Sequence, residues 1–488
     1  MIKGHFRVVL VGLGVLGLLF WTISCAVNPV SGRRELMLLS DAEEINLGRE
    51  TDGQVVQEYG IYKDPDLTAY LDTLCQRLGK VSHRPNLNYQ FKVLDASVVN
   101  AFAVPGGYVY FTRGILATLN NEAELAGVMA HEIGHIAARH SAQQYSKAQF
   151  AQATLGVGFV VADVLGLSTL SGLTQLGVGM LFLRFSRDNE RQADSLGVEY
   201  ASRLNYDASR LADFFQILEQ MNPGSDRSGL PGWFSTHPSP EDRVHAVRTQ
   251  ARQWQQKLAL NNPAVNEDTY LRKIDGLLFG EDPRHGYVKD KIFYHPDLRF
   301  QFPVPDRWTL QNTPSQVQMV NEEKSAIILF GMQAGASPEE VAKKFVTRTR
   351  AQVIRSNAIR VNDLYSQRLV SDIRTEKGVI RVMSYFIEKD KKIFTFHGLS
   401  SAEKFQNVQA LFEKTMSQFK ELSDPNRINV KPDLIRVHPA RTSDTLGNTL
   451  RSLGVPDDQL QYVALLNGRQ LNDRVPASTL IKVVEKGN

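Results

Sequence analysis

The chain reads as an α+β protein in three successive parts, and three features of the sequence predict this. From Ser40 to about Gln256, apolar residues recur at helical spacing, broken only by short strand-like runs. From Phe293 to Phe419, β-branched and aromatic runs dominate, with two helical segments among them. After Ser423-Asp424-Pro425-Asn426, a short closing segment mixes both patterns. The 488 residues suffice for two to four domains and a sizeable core. A formal net charge of +4 is small for this length, so no nucleic-acid partner is expected.

The N-terminus carries a targeting signal over residues 1–24. Lys3 and Arg7 lead into an apolar run from Val8 to Ile23, and Cys25 follows. That run is short for a membrane span and suits a signal h-region. Thr22-Ile23-Ser24-Cys25 resembles a lipobox in which Thr22 stands where leucine is usual, making Cys25 the lipidation site. The alternative is an uncleaved N-terminal anchor. Either reading places the body of the protein outside the cytoplasm. An acylated Cys25 leaves Cys75 without a disulfide partner, and Cys75 reads as a small buried apolar residue in the helical run Leu67–Leu78.

The first large domain is expected over residues 25–270. Asn28 to Arg34 reads as a polar linker. Ser40 to Leu78 is helical in period, with Ser40 or Asp41 as cap. Leu87–Leu94 alternates like a strand, and Asn100–Phe111 reads as two strand pieces round Pro105-Gly106-Gly107. Asn121 to Ser141 is proline-free and helical, with Leu125, Val128, Met129, Ile133 and Ile136 on one face. Asn121 and Glu124 suggest a capping box. Leu155–Leu183 is apolar but interrupted by six glycines and Asp163, which argues for a loosely packed helical pair rather than a membrane span. A further helix starts near Ser186. A boundary is expected between Asn266 and Gly286, then an α+β domain over 286–424 and a small module over 429–488.

One motif carries the chemistry. His131-Glu132-Ile133-Gly134-His135 is H-E-x-x-H, which arises by chance in roughly one chain in a hundred of this length. Residues four apart share a helical face, so His131 and His135 can reach one zinc ion while Glu132 reaches a water beside it. A catalytic zinc site needs a third protein ligand. Glu190, with Asp194 on the same helical face to orient a ligating histidine, is the best candidate. Alone, that spacing is common on solvated helices; after H-E-x-x-H it reads as a ligand.

The wider text resembles a known family. Asn100-Ala-Phe-Ala-Val-Pro-Gly-Gly107, the stretch Asn121–His135 with Arg139-His140, and Ser235-Thr236-His237-Pro238 with Asp242-Arg243 are similar to the zinc endopeptidases that include HtpX, BepA and the CAAX prenyl proteases. Residues 25–34 look like the mature start of their bacterial lipoprotein members. The resemblance covers about Cys25 to Arg248 and implies a mostly helical, gluzincin-type zincin domain with a small edge-stranded sheet. It implies one Zn2+ per chain and Glu132 as general base. Asn100, Ala101, Phe102 and Ala103, with Tyr108–Phe111, would then offer an edge that pairs with extended substrate backbone. His237 either stabilises the oxyanion or closes the site as a fourth ligand; as a bland alternative it is a surface histidine. Arg243 either supports transition-state charge or pairs with a carboxylate. His140, five residues after His135, falls off the metal face and reads as structural. His83, His245, His285, His295 and His397 show no partners.

The closing module has Ser443-Asp-Thr-Leu446, Ala464-Leu-Leu-Asn-Gly468 and Leu480-Ile-Lys-Val-Val484, an order similar to a peptidoglycan-binding LysM module, with Ser443 where glycine is usual. The reading as a whole is a zinc endopeptidase of the bacterial envelope. It faces the periplasm, is held at the outer membrane by lipid, and acts on misfolded or unassembled envelope polypeptides. A chaperone-like assembly scaffold with a latent site is the alternative. The intact Glu132 favours hydrolysis.

Overall fold

The computed structural model describes residues 25–155, 184–221, 232–238, 242–375 and 378–487. Helices and several sheets combine in a mixed α and β architecture. The helical pair read from Leu155–Leu183 falls, beyond Leu155, outside the described residues.

The N-terminal stretch is not a linker. Cys25–Val27 pairs antiparallel with Arg34–Leu36, and Asn28 builds the turn between them. Its Oδ1 accepts from the backbone N–H of Val30 (2.9 Å) and Ser31 (3.1 Å), a local bond that asparagine offers a tight turn. The helical run 40–78 divides into Asp41–Tyr59 and Pro65–Val81. Gly60 (φ 73°) ends the first helix, and Asp64 caps the second with proline at its first position.

Strands Gln90–Leu94, Tyr108–Thr112 and Ala101–Val104 form a three-stranded sheet in that order. Ala101–Val104 is therefore the edge strand. Tyr108–Thr112 is central, because it pairs parallel with Gln90–Leu94 on its other side, and this narrows the two-segment edge read from the sequence.

The motif helix runs Glu122–Ala137 and is buried along its whole length. Asn121 caps it, accepting from Glu124 N at 2.8 Å, while the Glu124 carboxylate accepts from Asn120 N (2.7 Å) and from the Asn121 side chain (Nδ2, 2.9 Å) rather than from the backbone N–H of the cap residue. The helix stops short of Ser141. Arg139 adopts φ 58°, and a new helix, His140–Leu155, leaves in another direction. Helix Arg187–Arg203 packs across the motif helix at glycines. A Cβ on Gly134 would lie 3.1 Å from Leu196 Cβ, and one on Gly197 would lie 3.2 Å from His131 N.

The stretch expected as a boundary, 266–286, is structured. Helix Glu267–Lys273 is followed by strand Leu278–Phe279, which pairs with Asp433–Pro439; that strand in turn pairs with Leu480–Glu485. The C-terminal segment thus shares a sheet with the end of the first domain. Ile435, Leu466 and Leu480 join the core that holds the motif helix. Lys482, fully buried, donates to the carbonyls of Ala117 (2.9 Å) and Leu119 (2.8 Å), just before that helix begins.

Between these parts lies a seven-stranded antiparallel sheet in the order 308–312, 316–321, 326–333, 392–401, 378–389, 364–375, 352–361. Helices Pro338–Thr349 and Phe405–Ser417 cover opposite faces, since Ile327 and Leu329 pack with Phe345 while Ile328 and Phe330 pack with Phe412.

His397 sits inside this sheet with Nδ1 2.8 Å from Ser384 Oγ. Burial, reinforced by Arg348, pushes its imidazole from 6.5 down to about 3. The unfolded chain therefore takes up a proton below about 6.5 that the folded sheet refuses until about 3, and stability falls as pH falls through that window. Denaturant titrations at stepped pH should show this fall, and His397→Gln should flatten it. An unchanged slope in the variant would assign the loss to other groups.

Candidate metal centre

Three helices and one short turn bring the polar cluster together. The motif helix supplies His131 and His135 one turn apart. Helix Arg187–Arg203, started by a Ser186–Asn189 capping box, supplies Glu190 and Asp194. The short helix Trp233–Thr236 ends at His237, and helix Arg243–Lys257 begins at Arg243. One ligand atom from each of His131, His135, Glu190 and His237 lies within 4.8 Å of the others, and all four residues are buried.

The individual distances define a compact polyhedron. His131 Nε2 is 3.1 Å from His135 Nε2, 3.7 Å from Glu190 Oε2 and 3.4 Å from His237 Nδ1. His135 Nε2 is 3.5 Å from Glu190 Oε1, and His237 Nδ1 is 3.1 Å from the same oxygen. The far nitrogens are held from outside. Asp194 Oδ1 lies 2.9 Å from His131 Nδ1, and His140 Nδ1 lies 2.9 Å from His135 Nδ1. His140 is fixed in turn by Gln192 Oε1 at 2.9 Å from its Nε2. Both motif histidines are therefore oriented with Nε2 inward.

The charges balance through Arg243. Its Nη2 lies 2.7 Å from Asp194 Oδ1 and donates to Glu190 Oε2 at 3.2 Å, and its guanidinium carbon sits 3.7 Å over the Phe215 ring. Burial would raise Asp194, but Arg243 and His131 outweigh it and hold the carboxyl below its usual range. Burial would likewise raise Glu190, and His237 ahead of His131 and Arg243 reverses this. For His237 the order is inverted: burial would lower it, and Glu190 and Glu132 hold it above its usual value. Glu132 is raised, chiefly by burial. Neither Glu132 oxygen has a hydrogen-bond partner among the described residues, and Oε1 lies 3.6 Å from His237 Nε2.

The structure thus gathers His131, Glu132, His135, Glu190, Asp194, His237 and Arg243. Asn100 to Ala103 run at the edge of the neighbouring sheet, with Val99 O accepting from Trp233 N at 3.0 Å. Cys25 lies apart, in the N-terminal hairpin. Sequence reasoning missed four contributors. His140 was set aside on helical spacing, which fails because the helix ends before it. Gln192 holds His140. Phe185 lies 4.1 Å from the His135 ring centre, and Trp233 stacks on His237 at 4.4 Å. The Trp233-Phe-Ser-Thr-His237 string carried a signal for the last, since four residues span about one turn.

The helix crossing sets the donor spacing. Gly197→Val should destabilise the protein by about 1–3 kcal/mol, read by denaturant unfolding, and should weaken metal retention in parallel. Unchanged stability would mean that the crossing has slack.

The sequence profile of peptidase family M48 matches residues 65–251. The beta-barrel assembly-enhancing protease of Escherichia coli (strain K12) is 29% identical over 271 residues, 54% of this chain and 54% of its own length. The mitochondrial metalloendopeptidase OMA1 of Schizosaccharomyces pombe is 32% identical over 223 residues, 45% of this chain and 64% of its own. The Homo sapiens metalloendopeptidase OMA1 is 26% identical over 246 residues, 47% of each. The chain thus covers about half to two thirds of the length of these relatives. A fold comparison with the solution structure of cyanobacterial PsbP from Synechocystis covers 27% of this chain and 91% of that one at 14% identity, but its TM-score of 0.24 carries no argument. The profile match takes in the motif helix, Glu190, Asp194, His237 and Arg243: residues 65–251 are a domain of peptidase family M48.

Proposed function

We propose that the protein is a zinc-dependent endopeptidase of the bacterial envelope, hydrolysing misfolded or unassembled envelope polypeptides. The observation that carries this reading is the set of four buried, convergent donors beside a buried glutamate that has no hydrogen-bond partner among the described residues. Four donors at 2.0–2.2 Å from a tetrahedral zinc lie about 3.4 Å apart. Five of the six separations, taken with one or the other Glu190 oxygen, run from 3.1 to 3.7 Å, and the four donors all lie within 4.8 Å of one another, which supports one such ion per chain. His131, His135 and Glu190 would hold it, with Asp194 orienting His131.

When bound, zinc supplies Lewis acidity toward the scissile carbonyl and toward a water. Glu132 takes the water's proton and later delivers it to the leaving amine; burial raises its basicity for that task. Ala101–Val104 offers the backbone edge on which an extended substrate lies. The Ala103 carbonyl accepts from Ser141 Oγ at 3.4 Å, away from the strand pairing, so it faces the side where substrate would add. Main-chain pairing suits unfolded polypeptide of many sequences. The name of the Escherichia coli relative, a protease that enhances β-barrel assembly, supports substrates of the envelope.

The scaffold reading has its own support. All four donors and Glu132 are buried in this conformation, and His237 Nδ1, 3.4 Å from His131 Nε2 and 3.1 Å from Glu190 Oε1, would compete with water as a fourth ligand. A protein held in this state would hydrolyse slowly. In the closing segment, two helices, Leu446–Ser452 and Leu460–Leu466, lie between strands Asp433–Pro439 and Leu480–Glu485, with the short paired strands Asp444–Thr445 and Arg474–Val475 flanking them, and this supports the LysM-like reading, with peptidoglycan as its partner. No helix among the described residues is long and apolar enough to cross a membrane. The apolar run Val8–Ile23 followed by Cys25 supports attachment through the N-terminus.

Metal analysis with a casein-cleavage assay on the purified protein tests the central claim. His131→Ala should lose the metal. Glu132→Gln should keep it and lose about 10²–10⁴ in rate, the usual worth of a positioned base. Metal retained in the first variant, or near-normal cleavage by the second, would overturn the assignment.

His237→Ala should raise basal cleavage if His237 closes the metal as a fourth ligand, the role its Nδ1 position supports. A fall of about 10² or more would instead mark an oxyanion donor.

Mass analysis of the mature N-terminus should show an acylated Cys25 with the preceding residues removed. An intact Met1 would leave the uncleaved anchor.

A further inference from the structure

The N-terminal hairpin leaves no slack between membrane attachment and the motif helix. The apolar run Val8–Ile23 ends two residues before Cys25, so an acyl chain on Cys25 and an uncleaved anchor both put the bilayer at that residue. Cys25 is itself the first residue of a strand, paired across from Leu36. Two extended residues reach at most about 7 Å, roughly the depth of one headgroup layer, so Val27 cannot leave that layer.

The inner side of this strap is bound to the far end of the motif helix. Asn28 Nδ2 donates to Ala138 O at 3.1 Å, and Gln143 Nε2 donates to Glu35 Oε2 at 2.7 Å. Leu38 N donates to Ser146 Oγ at 3.0 Å, and Arg139 Nη2 to Leu39 O at 2.9 Å. Met37 is buried. The outer side has a different chemistry. Val27 is 55% exposed and Leu38 40% exposed. Arg33 and Arg34 are exposed, and neither side chain forms an ion pair or hydrogen bond among the described residues. Arg34 pairs across from Val27 and so shares its face, while Glu35 alternates to the other face and is bonded inward. Lys147 is exposed on the adjoining helix. Exposed apolar residues interleaved with unpaired cations match an anionic lipid surface, and one anchor with a basic patch is the combination that holds a protein there stably.

We infer that residues 25–39 form a membrane-contact surface lying on anionic phospholipid headgroups, which turns the C-terminal end of the motif helix toward the bilayer. The C-terminal module docks at the opposite end of that helix, through Lys482. Sixteen helical residues separate the two ends by about 24 Å. The inference rests on attachment at residue 25 in the proposed function, and not on hydrolysis.

The test uses the full chain reconstituted in phosphatidylcholine vesicles containing phosphatidylglycerol. Val27→Cys, Leu38→Cys and, in the C-terminal module, Asp458→Cys are each labelled with an environment-sensitive fluorophore and quenched by headgroup spin-labelled lipid. The chain without an added cysteine gives the background. Quenching at 27 and 38 should exceed that at 458 by at least about threefold, and Arg33→Glu with Arg34→Glu should reduce it by a similar factor, as two cations near an anionic surface require. Melting temperature and vesicle flotation should stay unchanged in the charge-reversed protein. Equal quenching at all three sites in protein that floats, or indifference to charge reversal, overturns the contact surface while leaving attachment intact. A full chain that does not float shows that the attachment itself is absent, and the surface falls with it.

Discussion

Arg243 is the interaction on which the centre depends. Helix Arg187–Arg203 presents two carboxylates, one turn apart, to a region closed to water, where unpaired charge is not tolerated. The guanidinium bridges both and is itself fully buried over Phe215. Remove it and the carboxylates lose the only arginine that pairs with them among the described residues, leaving the histidines, or a bound cation, to offset them. That demand dictates the order of the surrounding fold. Helix Arg243–Lys257 must pack on Arg187–Arg203, and the turn carrying Trp233 and His237 must then pass directly over the metal donors.

Both ends of the motif helix are clamped by distant parts of the chain. At its start, Lys482 occupies the carbonyls of Ala117 and Leu119, while Glu124 closes on Asn120. Burial pushes Lys482 down and Glu124 up, and their mutual attraction opposes both shifts. At its end, Arg84 reaches Ile136 O, Asn28 reaches Ala138 O, and Glu44 is held between Arg84 and Arg139. A helix whose side chains must converge on one buried site gains from such fixing.

The legible parts of the sequence were those governed by local period or local chemistry. His131, Glu132 and His135 follow from helical spacing, and the Asn121 and Ser40 caps from short-range hydrogen bonding. The strands at 101–104 and 108–112 follow from alternation round Pro105-Gly106-Gly107. Glu190 followed from the need for a third ligand and from its helical spacing to Asp194, whereas His237 needed the family resemblance, because nothing local ties it to residues a hundred positions earlier. Where reading by period failed, a backbone conformation intervened. Arg139 at φ 58° ends the helix and returns His140 to the side of His135, which no count of residues per turn predicts. Asn28 to Arg34 looked like a linker because its composition is polar, yet a single asparagine there makes both a turn and a long-range bond. The pairing of Leu278–Phe279 with Asp433–Pro439 was hidden by its brevity and by the intervening domain.

The placement of Leu480 and Lys482 has a consequence for how the molecule comes into being. Strand Leu480–Glu485 completes the core around the first turn of the motif helix, and it is made long after that helix. While the polypeptide is still being synthesised, the carbonyls of Ala117, Thr118 and Leu119 lack the ammonium group that will satisfy them. The nascent chain therefore passes through a period with its motif helix unfinished at one end. Folding order alone delays the fixing of that helix until Leu480–Glu485 has been made.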